Sequence, residues 1–425
     1  MSASYLAESV LTHRALVFPV PWDDPHLRWL LAEFRLLVNE SIRIALKEDI
    51  RSRARLTRAA YKDLGARHAV YKQYIPSAFE VALAVLKAHR RRVRKGKRSS
   101  IPFLRRLMLK AENQSYWLDR EAGRIRIPIR GTEGVQLHLP LAEWHRSILG
   151  DPSWGLGSLT VVSGKIIVVL RKEAPKPYEP RGTIALDTNE DSLDGVQSSG
   201  DSAGLLRVPF EGVRRIQEIH YRRRRKIARK KAAHDRRVAR RLLNREGRRE
   251  RHRVRHRLHR VSKGLVRLAT EAQAAIVLED LTLHGAGGRS RRMNRRLSSW
   301  PRREIHRQIE YKAALESVPI IKVNPAWTSK TCPVCGARRR DRVGKVFVCL
   351  MCDWEMDRQI NAGLNILKTA LASNEALARA VRFQPGALRD DVVSPLYDLL
   401  REGTGAREEP SGVESQIGVI PSPDS

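Results

Sequence analysis

The four cysteines constrain this chain more than any other feature. They form two pairs, Cys332 with Cys335 and Cys349 with Cys352, with thirteen residues between the pairs, and the 425 residues contain no other cysteine. Two Cys-x-x-Cys knuckles at this spacing are typical of a zinc ribbon, in which four thiolates close a tetrahedral site and leave no position for water. We therefore predict a structural zinc site. We also expect no disulfides, which suits a reducing cytoplasm.

Three acidic residues stand where a metal-dependent enzyme needs its ligands. Asp187 and Glu279 each end an apolar run, and Asp357 follows the last cysteine after four intervening residues. Carboxylates on rigid elements can hold the paired Mg²⁺ or Mn²⁺ ions, about 4 Å apart, that cleave phosphodiesters. We therefore predict that these three acids bind magnesium and form the catalytic site of a nuclease. Four neighbouring acids are set aside because of their order and context: Asp191, Asp194, Asp280 and Asp353.

The charge balance indicates a polyanionic partner. The chain has 81 Lys and Arg against 46 Asp and Glu, a formal net charge of +35 and a pI near 10.9. Such a charge repels itself unless a polyanion neutralises it, and it exceeds what one short DNA site needs, so we expect a long nucleic acid. Residues 1–8 lack the layout of a signal peptide, and no apolar run approaches the roughly 18 residues of a membrane span. We expect a cytoplasmic protein with no membrane partner.

Hydrophobic periodicity divides the N-terminal half into strands and helices. Residues 12–21 are predicted as one strand, and residues 25–95 as helices whose apolar positions lie three and four apart. From residue 115 the period changes to two, and residues 159–170 form a predicted hairpin. The pattern predicts a small β-barrel that the first strand begins, helices interrupt and the later strands complete. A Pro-rich linker follows.

A basic helical arm is predicted at about residues 208–271. One face of it has apolar residues spaced four, three, four and three: Val254, Leu258, Val261, Leu265 and Leu268. The other faces are almost wholly Arg and Lys, and acids are too scarce for a charge-paired coiled coil, so we predict phosphate contacts. The candidate contacts are Arg222, Arg223, Arg224 and Arg225. Residues 401–425 carry five acids against two cations, and the C-terminal tail is predicted to be largely disordered.

Four segments together resemble the TnpB family, transposon-encoded RuvC-like nucleases that are ancestors of type V CRISPR effectors. Residues 186–190, LDTNE, resemble the first RuvC motif, and residues 276–281, IVLEDL, resemble the second. The run VNPAWTSKTCPVCG at 323–336 is similar to the family's lead into its zinc ribbon, and DRQINA at 357–362 to its third motif. The strong resemblance covers about residues 183–370. Gln359 stands where an acid is common and Gly363 where Ala is usual, and neither is a metal ligand.

The resemblance implies an RNA-guided DNA endonuclease in a prokaryotic cytoplasm. A guide RNA would pair with target DNA while the protein reads a short adjacent duplex motif. Arg342, between the knuckles, is a candidate contact for the scissile phosphate, with a solvated loop arginine as the alternative. The sequence leaves the oligomeric state open, with a monomer expected.

The implied fold is multidomain, α+β and α/β, with a C-terminal RuvC (RNase H-like) domain into which the ribbon is inserted. The expected domains are a wedge-like β-barrel (1–22 and 113–172), a helical recognition insert (23–112), a linker (173–182), the nuclease (183–326 and 356–375), the zinc ribbon (327–355) and the tail (376–425).

Three other functions stay open. A miniature CRISPR effector has the same chemistry in another genomic setting. A non-cleaving RNA-guided regulator is expected to lack at least one acid, and all three are present. A basic zinc-ribbon protein without catalysis leaves the strand-terminal acids unexplained. Trp300 and Trp327 are interpreted as packing residues rather than base-stacking platforms, and His284 as structural or exposed rather than a ligand.

Overall fold

The computed structural model describes the chain except residues 1–10, 22, 98, 232–234, 282–289, 339, 344, 383–393 and 396–425, and the side chains of 291–292, 340–343 and 394–395. His284 and most of the predicted tail therefore lie outside the described residues. The chain divides into two compact units, Met1–Ala174 and Pro175–Ser425. No described helix combines the length and the apolar character that crossing a bilayer requires.

The first unit contains seven strands and four helices among its described residues. In chain order they are β1 (Leu11–Pro19), α1 (Pro25–Lys47), α2 (Arg53–Arg67), α3 (Tyr74–Arg94), β2 (Met108–Ala111), β3 (Trp117–Asp119), β4 (Arg124–Arg130), β5 (Glu133–His138), α4 (Glu143–Leu149), β6 (Gly155–Val162) and β7 (Lys165–Glu173). Helix α1 begins where the Asp24 carboxylate accepts from the Leu27 amide at 2.7 Å, with Pro25 at the first helical position.

The predicted β-barrel does not close in this unit. Strand β1 pairs with β7 along its whole length, so the first strand does join the later ones across the helical insert. The resulting sheet has the open order β1-β7-β6-β2, while β3, β4 and β5 form a separate three-stranded sheet. The barrel prediction was wrong because period-two alternation identifies strands but does not show which strands share hydrogen bonds.

The second unit is built on a six-stranded sheet. Its elements are β8 (Gly182–Thr188), β9 (Ser192–Ser199), β10 (Ser202–Pro209), α5 (Val213–Lys231), α6 (Arg236–Glu271), β11 (Ala274–Glu279), α7 (Arg291–Ser299), α8 (Arg302–Leu315), β12 (Ile320–Val323), β13 (Arg340–Val343), β14 (Val346–Cys349), β15 (Glu355–Asp357), α9 (Arg358–Ser373), α10 (Glu375–Ala380) and β16 (Ser394–Pro395).

The strand order of this sheet is β12-β11-β8-β9-β10-β16. Strands β8, β9 and β10 form an antiparallel meander, whereas β11 and β12 run parallel to β8. Every residue of β11 is buried, as expected for a central strand covered on both faces. One face packs against α6 and α8, and the other against α9 and α10.

The basic arm consists of two helices, α5 and α6, rather than one. The predicted apolar face is confirmed, since Val254, Leu258, Val261 and Leu265 are buried against the sheet. The arm therefore keeps its basic faces away from the sheet while one stripe fixes it to the core.

The segment predicted as tail begins later than residue 376. Helix α10 packs on the sheet through Leu377, which is fully buried, and Val381 bridges to Gly200. The prediction missed this helix because six residues give too little periodicity to detect.

Candidate active site

Two of the three predicted acids meet at one edge of the sheet. Strands β8 and β11 are parallel with Leu186 opposite Leu278, so Asp187 and Glu279, one residue further on, end adjacent strands side by side. Glu279 is 5% exposed, and its carboxylate lies close enough to that of Asp187 to raise the pKa of Asp187. Two buried carboxylates this close are not both charged unless a proton or a cation lies between them.

The surroundings of Asp187 and Glu279 raise the pKa of both carboxyl groups. Burial, the Glu279 carboxylate and the Asp194 carboxylate raise the pKa of Asp187 to about 7, against a hydrogen bond from Asn189 and the charge of Arg358. Burial also raises the pKa of Glu279, while the hydrogen bond from Thr328 and the neighbouring Asp187 carboxyl act in the opposite direction. A divalent cation placed here would displace the proton and relieve the repulsion between the carboxylates, so the pair fits a metal ion.

The raised pKa of Asp187 predicts a pH dependence for metal-dependent cleavage. The protonated carboxyl does not bind the metal, so the rate is expected to fall as the pH drops through about 7, by up to about tenfold per pH unit at limiting Mg²⁺. Because metal and proton compete, raising the Mg²⁺ concentration should move the midpoint to lower pH. Cleavage rates measured between pH 5.5 and 8.5 at two Mg²⁺ concentrations test this, and a flat profile at limiting Mg²⁺ would contradict it.

The third acid, Asp357, is held by a charged bridge from the sheet. It is the N-cap of α9, where it accepts from the Gln359 amide at 2.8 Å. The Arg207 guanidinium lies 3.5 Å from the other carboxylate oxygen of Asp357 and also pairs with Asp194. Asp194 is fully buried on β9, where it faces Asp187 of β8 on one side and Arg207 of β10 on the other. Arg207 therefore neutralises Asp194 and connects Asp357 to the cross-strand neighbours Asp194 and Asp187.

The three acids do not form one compact ligand cluster. In the part of the chain that the structure describes, the four cysteines are the one group of three or more metal-ligating side chains whose ligand atoms lie within 4.8 Å of one another. Asp187 and Glu279 are neighbours on adjacent strands, and Asp357 is connected to them through Arg207 and Asp194.

The loop that leads into the ribbon fixes Glu279. We call residues 324–331 the approach loop. Its Thr328 hydroxyl donates to the Glu279 carboxylate at 2.6 Å. Two asparagines of α9 hold the loop in turn: Asn365 donates to the carbonyls of Thr328 and Thr331, both at 2.8 Å, and Asn361 to that of Thr331 at 3.0 Å. The second acid, the approach loop and the helix of the third acid are therefore one hydrogen-bonded assembly.

A buried histidine supports the end of β8. His306 of α8 forms a 2.7 Å hydrogen bond with Thr188, the residue after Asp187, and burial lowers its pKa to about 4, so the ring is neutral. Sequence reasoning missed His306, Arg207 and Thr328. Thr328 and Asn361 lie within motifs that resemble those of the TnpB family, and this resemblance was the one sequence feature that pointed to them. His306 and Arg207 lie outside the quoted motifs and far along the chain from their partners, so no sequence feature pointed to them.

A glycine pair allows α9 to lie directly on the sheet. A Cβ added at Gly363 would overlap the Cα of Gly195 and lie 3.3 Å from the Asp194 carbonyl. The departure from alanine at this position therefore has a packing reason. The close approach also fixes the height of Asp357 above the strand that contains Asp194.

Substitution of Gly363 by alanine is expected to destabilise the second unit by about 1–3 kcal/mol and to lower cleavage, because α9 must move away from β9. The matched control is Gly247→Ala in α6, where only the flexible Arg251 side chain is near, and where alanine is expected to stabilise by about 0.5–1 kcal/mol. Thermal unfolding of both variants tests this pair of signs. Equal shifts in the two variants, or a Gly363→Ala variant as stable as the parent, would show that the close packing is unimportant.

The cysteines converge as predicted. The Sγ atoms of Cys332 and Cys352, and those of Cys335 and Cys349, lie 3.6 Å apart, too far for disulfides and close to the roughly 3.8 Å edge of a tetrahedral zinc–sulfur site. Cys332 and Cys349 are buried with Phe347 in the small core of the sheet β13-β14-β15. The four side chains therefore fit a structural zinc ion.

The predicted phosphate contacts differ in availability. Arg222 is 75% exposed and Arg223 52%, each near one glutamate, whereas Arg224 pairs closely with Glu250 and is 31% exposed. The Arg225 guanidinium lies 5.9 Å from the ring centroid of Tyr221. The side chain of Arg342 lies outside the described residues. Arg222 and Arg223 are therefore the better candidates of the four.

Comparison with known proteins agrees with this architecture. Residues 303–366 match the family described as Cas12f1-like, TNB domain, and residues 30–128 the uncharacterized protein MJ0013 family. The chain is 26% identical to the TnpB-like protein MJ0751 of Methanocaldococcus jannaschii over 254 residues, which cover 58% of this chain and 91% of that protein. It is 33% identical to the CRISPR-associated endodeoxyribonuclease Cas12f1 of Sulfoacidibacillus thermotolerans over 112 residues, 25% of each chain.

The solved structure of a Cas12f1–sgRNA–target DNA complex is similar with a TM-score of 0.52 and 13% identity, over 80% of this chain and 81% of that one. The protein therefore has the multidomain α+β fold of Cas12 effectors. Within that class, the relatives that it matches over most of their length are TnpB-like proteins, so the chain is similar to the TnpB family.

Proposed function

We propose that this protein is an RNA-guided, metal-dependent DNA endonuclease with a RuvC-like active site formed by Asp187, Glu279 and Asp357. The observation that carries the proposal is the Asp187–Glu279 pair at the ends of adjacent parallel strands. The sheet order, three antiparallel strands followed by two parallel ones, supports an RNase H-like nuclease core. Similarity to TnpB-like proteins and the names of the Cas12f relatives support the nuclease class.

Magnesium bound by the three acids would activate a water molecule and stabilise the departing oxygen of the phosphodiester. The chain's own residues prepare that site. Thr328 orients Glu279, and Arg207 holds Asp357 at the start of α9. His306 fixes the end of β8 through Thr188, so that Asp187 keeps its place beside Glu279. Because all of these contacts are on strands, helices or a hydrogen-bonded loop, the site is preorganised.

The proposed partners are a guide RNA and a target DNA. The net charge of +35 suits two polyanions, and Arg222 and Arg223 on α5 are exposed for phosphates. RNA that co-purifies with the chain should be sequenced and the complex tested on DNA that matches it. Guided, Mg²⁺-dependent cleavage supports the proposal. A complex that binds matching DNA and never cuts it would instead indicate the non-cleaving regulator.

Reversing the charge of the exposed arginines is expected to flatten the salt dependence of RNA binding. In Arg222→Glu/Arg223→Glu, the slope of log affinity against log salt should decrease by up to about two, because fewer counterions are released. Fluorescence anisotropy at 50–300 mM salt measures the slope. Arg260→Glu/Arg267→Glu, which reverses two exposed arginines on α6, is the matched charge control. An unchanged slope in the α5 variant would mean that this face of α5 does not contact RNA.

The same site chemistry would serve a miniature CRISPR effector. The fraction of each relative that matches this chain favours the TnpB-like function. The match spans 91% of MJ0751, but only a quarter of Cas12f1. The sequence of the co-purified RNA separates the two, because a transposon end and a CRISPR repeat give different guides.

A further inference from the structure

Trp327 of the approach loop is exposed, and its interpretation as a packing residue was wrong. Half of its surface is open to solvent, and it is the one large aromatic side chain so exposed among the described residues of the second unit. Trp300, by contrast, does pack, with its indole donating to the Asn189 carbonyl at 2.7 Å. Exposure of a single aromatic side chain is common, so the surroundings of the ring decide whether it can bind a ligand.

The position of Trp327 relates it directly to the acids. The next residue, Thr328, donates to Glu279 at 2.6 Å, and the same loop is held by Asn361 and Asn365 of the helix that begins after Asp357. The indole is therefore attached, through one backbone unit, to the group that positions a candidate catalytic carboxylate.

The backbone presents the indole in a fixed conformation. Trp327 has a φ of 72°, in the left-handed region that bulky residues rarely adopt. Its carbonyl accepts from the amides of Lys330 and Thr331, at 2.9 and 3.1 Å, and from the Thr331 hydroxyl at 3.0 Å. Three hydrogen bonds to one carbonyl hold the strained turn, so the ring stands out from the loop without being free to collapse onto it.

Two cations flank the ring. The Arg338 guanidinium carbon lies 4.5 Å from the Trp327 ring centroid, and the Lys330 ammonium lies 5.1 Å from it. Neither residue has a carboxylate partner within salt-bridge distance in the described chain. An open aromatic face beside two uncompensated cations is the combination that binds an unpaired base together with its phosphates.

We infer that Trp327, with Lys330 and Arg338, forms a stacking platform for one unpaired base of the DNA strand that is to be cut. A base within a duplex has both faces covered, so the platform selects a single strand. Stacking there would hold the strand beside Asp187 and Glu279 independently of base identity. This inference rests on the proposed function, since it assigns a role in placing the substrate of the same site.

The test uses the full chain with its co-purified RNA, made nuclease-inactive by Asp187→Ala, and single-stranded DNA with one 2-aminopurine at successive positions. Stacking on an indole quenches 2-aminopurine fluorescence, so at least one position should be quenched several-fold on binding. Adding Trp327→Ala should restore most of the emission, and Trp327→Phe should keep most of the quenching. Trp117→Ala, an equally exposed tryptophan of the first unit, should change nothing.

A second measurement uses the chain with Asp187 intact. Trp327→Ala should raise KM for the cut strand by about tenfold with a smaller change in kcat, and Trp327→Phe should restore KM. Zinc content and thermal unfolding equal to those of the parent show that the loop is intact. The inference is overturned if no position is quenched in a complex that binds and cuts, or if Trp327→Ala leaves quenching and KM unchanged. A complex that is quenched through Trp327 but never cuts would overturn the proposed function and leave the platform standing.

Discussion

Alanine in place of Asp187, Glu279 or Asp357 is expected to reduce DNA cleavage by on the order of 10³-fold or more, and to leave RNA and DNA binding within a few-fold of the parent. Each carboxylate is a candidate ligand for the ions that perform the hydrolysis, and no neighbouring group in the described site can replace it. Asp187 and Glu279 lie side by side on adjacent strands, so losing either removes half of the pair.

The assay is single-turnover cleavage of a matched DNA by the RNA-loaded chain in Mg²⁺. Asp280→Ala is the matched control, because Asp280 follows Glu279 directly, is exposed, and contributes its backbone amide to the Val323 carbonyl, which the substitution preserves. The control is expected to cut at nearly the parental rate. Full cutting by any of the three variants would refute the assignment, and equal loss in the control would show that the strand end, not the carboxylate, had been disturbed.

The stability of the variants should separate them further. Removing one of two repelling buried carboxylates is expected to stabilise the fold slightly at pH 7 and above, because burial and Asp194 raise the pKa of Asp187. An inactive variant that is no less stable than the parent is the result expected of a functional rather than a structural residue.

The site was predictable from sequence where the signal is local. Asp187 and Glu279 each end an apolar run, and an apolar run bounded by an acid identifies a buried strand and its end. The cysteine spacing likewise predicted that the four thiols converge. The fully buried β11 and the packed stripe of α6 follow from periodicity alone.

The supporting residues were not predictable, because each acts across a long stretch of chain. Arg207 reaches Asp357 over 150 residues and Thr188 meets His306 over 118, and both pairings exist only because the sheet order places their elements together. Barrel closure failed for the same reason, since pairing is set by three-dimensional register. The exposure of Trp327 follows from one left-handed residue, a conformation that nothing in its sequence context indicated.

Removing zinc is expected to abolish cleavage even when Mg²⁺ is in excess. The sheet β13-β14-β15 has a core of only three buried residues in the described chain, Cys332, Phe347 and Cys349, which is too small to fold without metal. Structural zinc in such small domains contributes about 10–16 kcal/mol at neutral pH, so its loss is expected to unfold the ribbon.

Unfolding the ribbon should disturb two acids at once. Asp357 is the last residue of β15 and pairs with Val346, and the following amide, of Arg358, donates to the Lys345 carbonyl at 2.8 Å. The approach loop, which holds Glu279 through Thr328, enters the same ribbon. Asp187, on β8, keeps its place, so the lost activity would come from the second and third acids while the sheet remains folded.

Cys332→Ser is the sharpest variant, because Cys332 is fully buried and no spare cysteine exists to replace it. Elemental analysis is expected to give one zinc per parent chain and none in the variant, with cleavage lost and most of the far-ultraviolet circular dichroism retained. Val334→Ser, an exposed position in the same knuckle, should keep both zinc and activity. Chelation of the parent should reproduce the loss, and added zinc should reverse it. Zinc-free protein that is folded and cuts at the parental rate would show that the ribbon does not position Asp357 and Glu279.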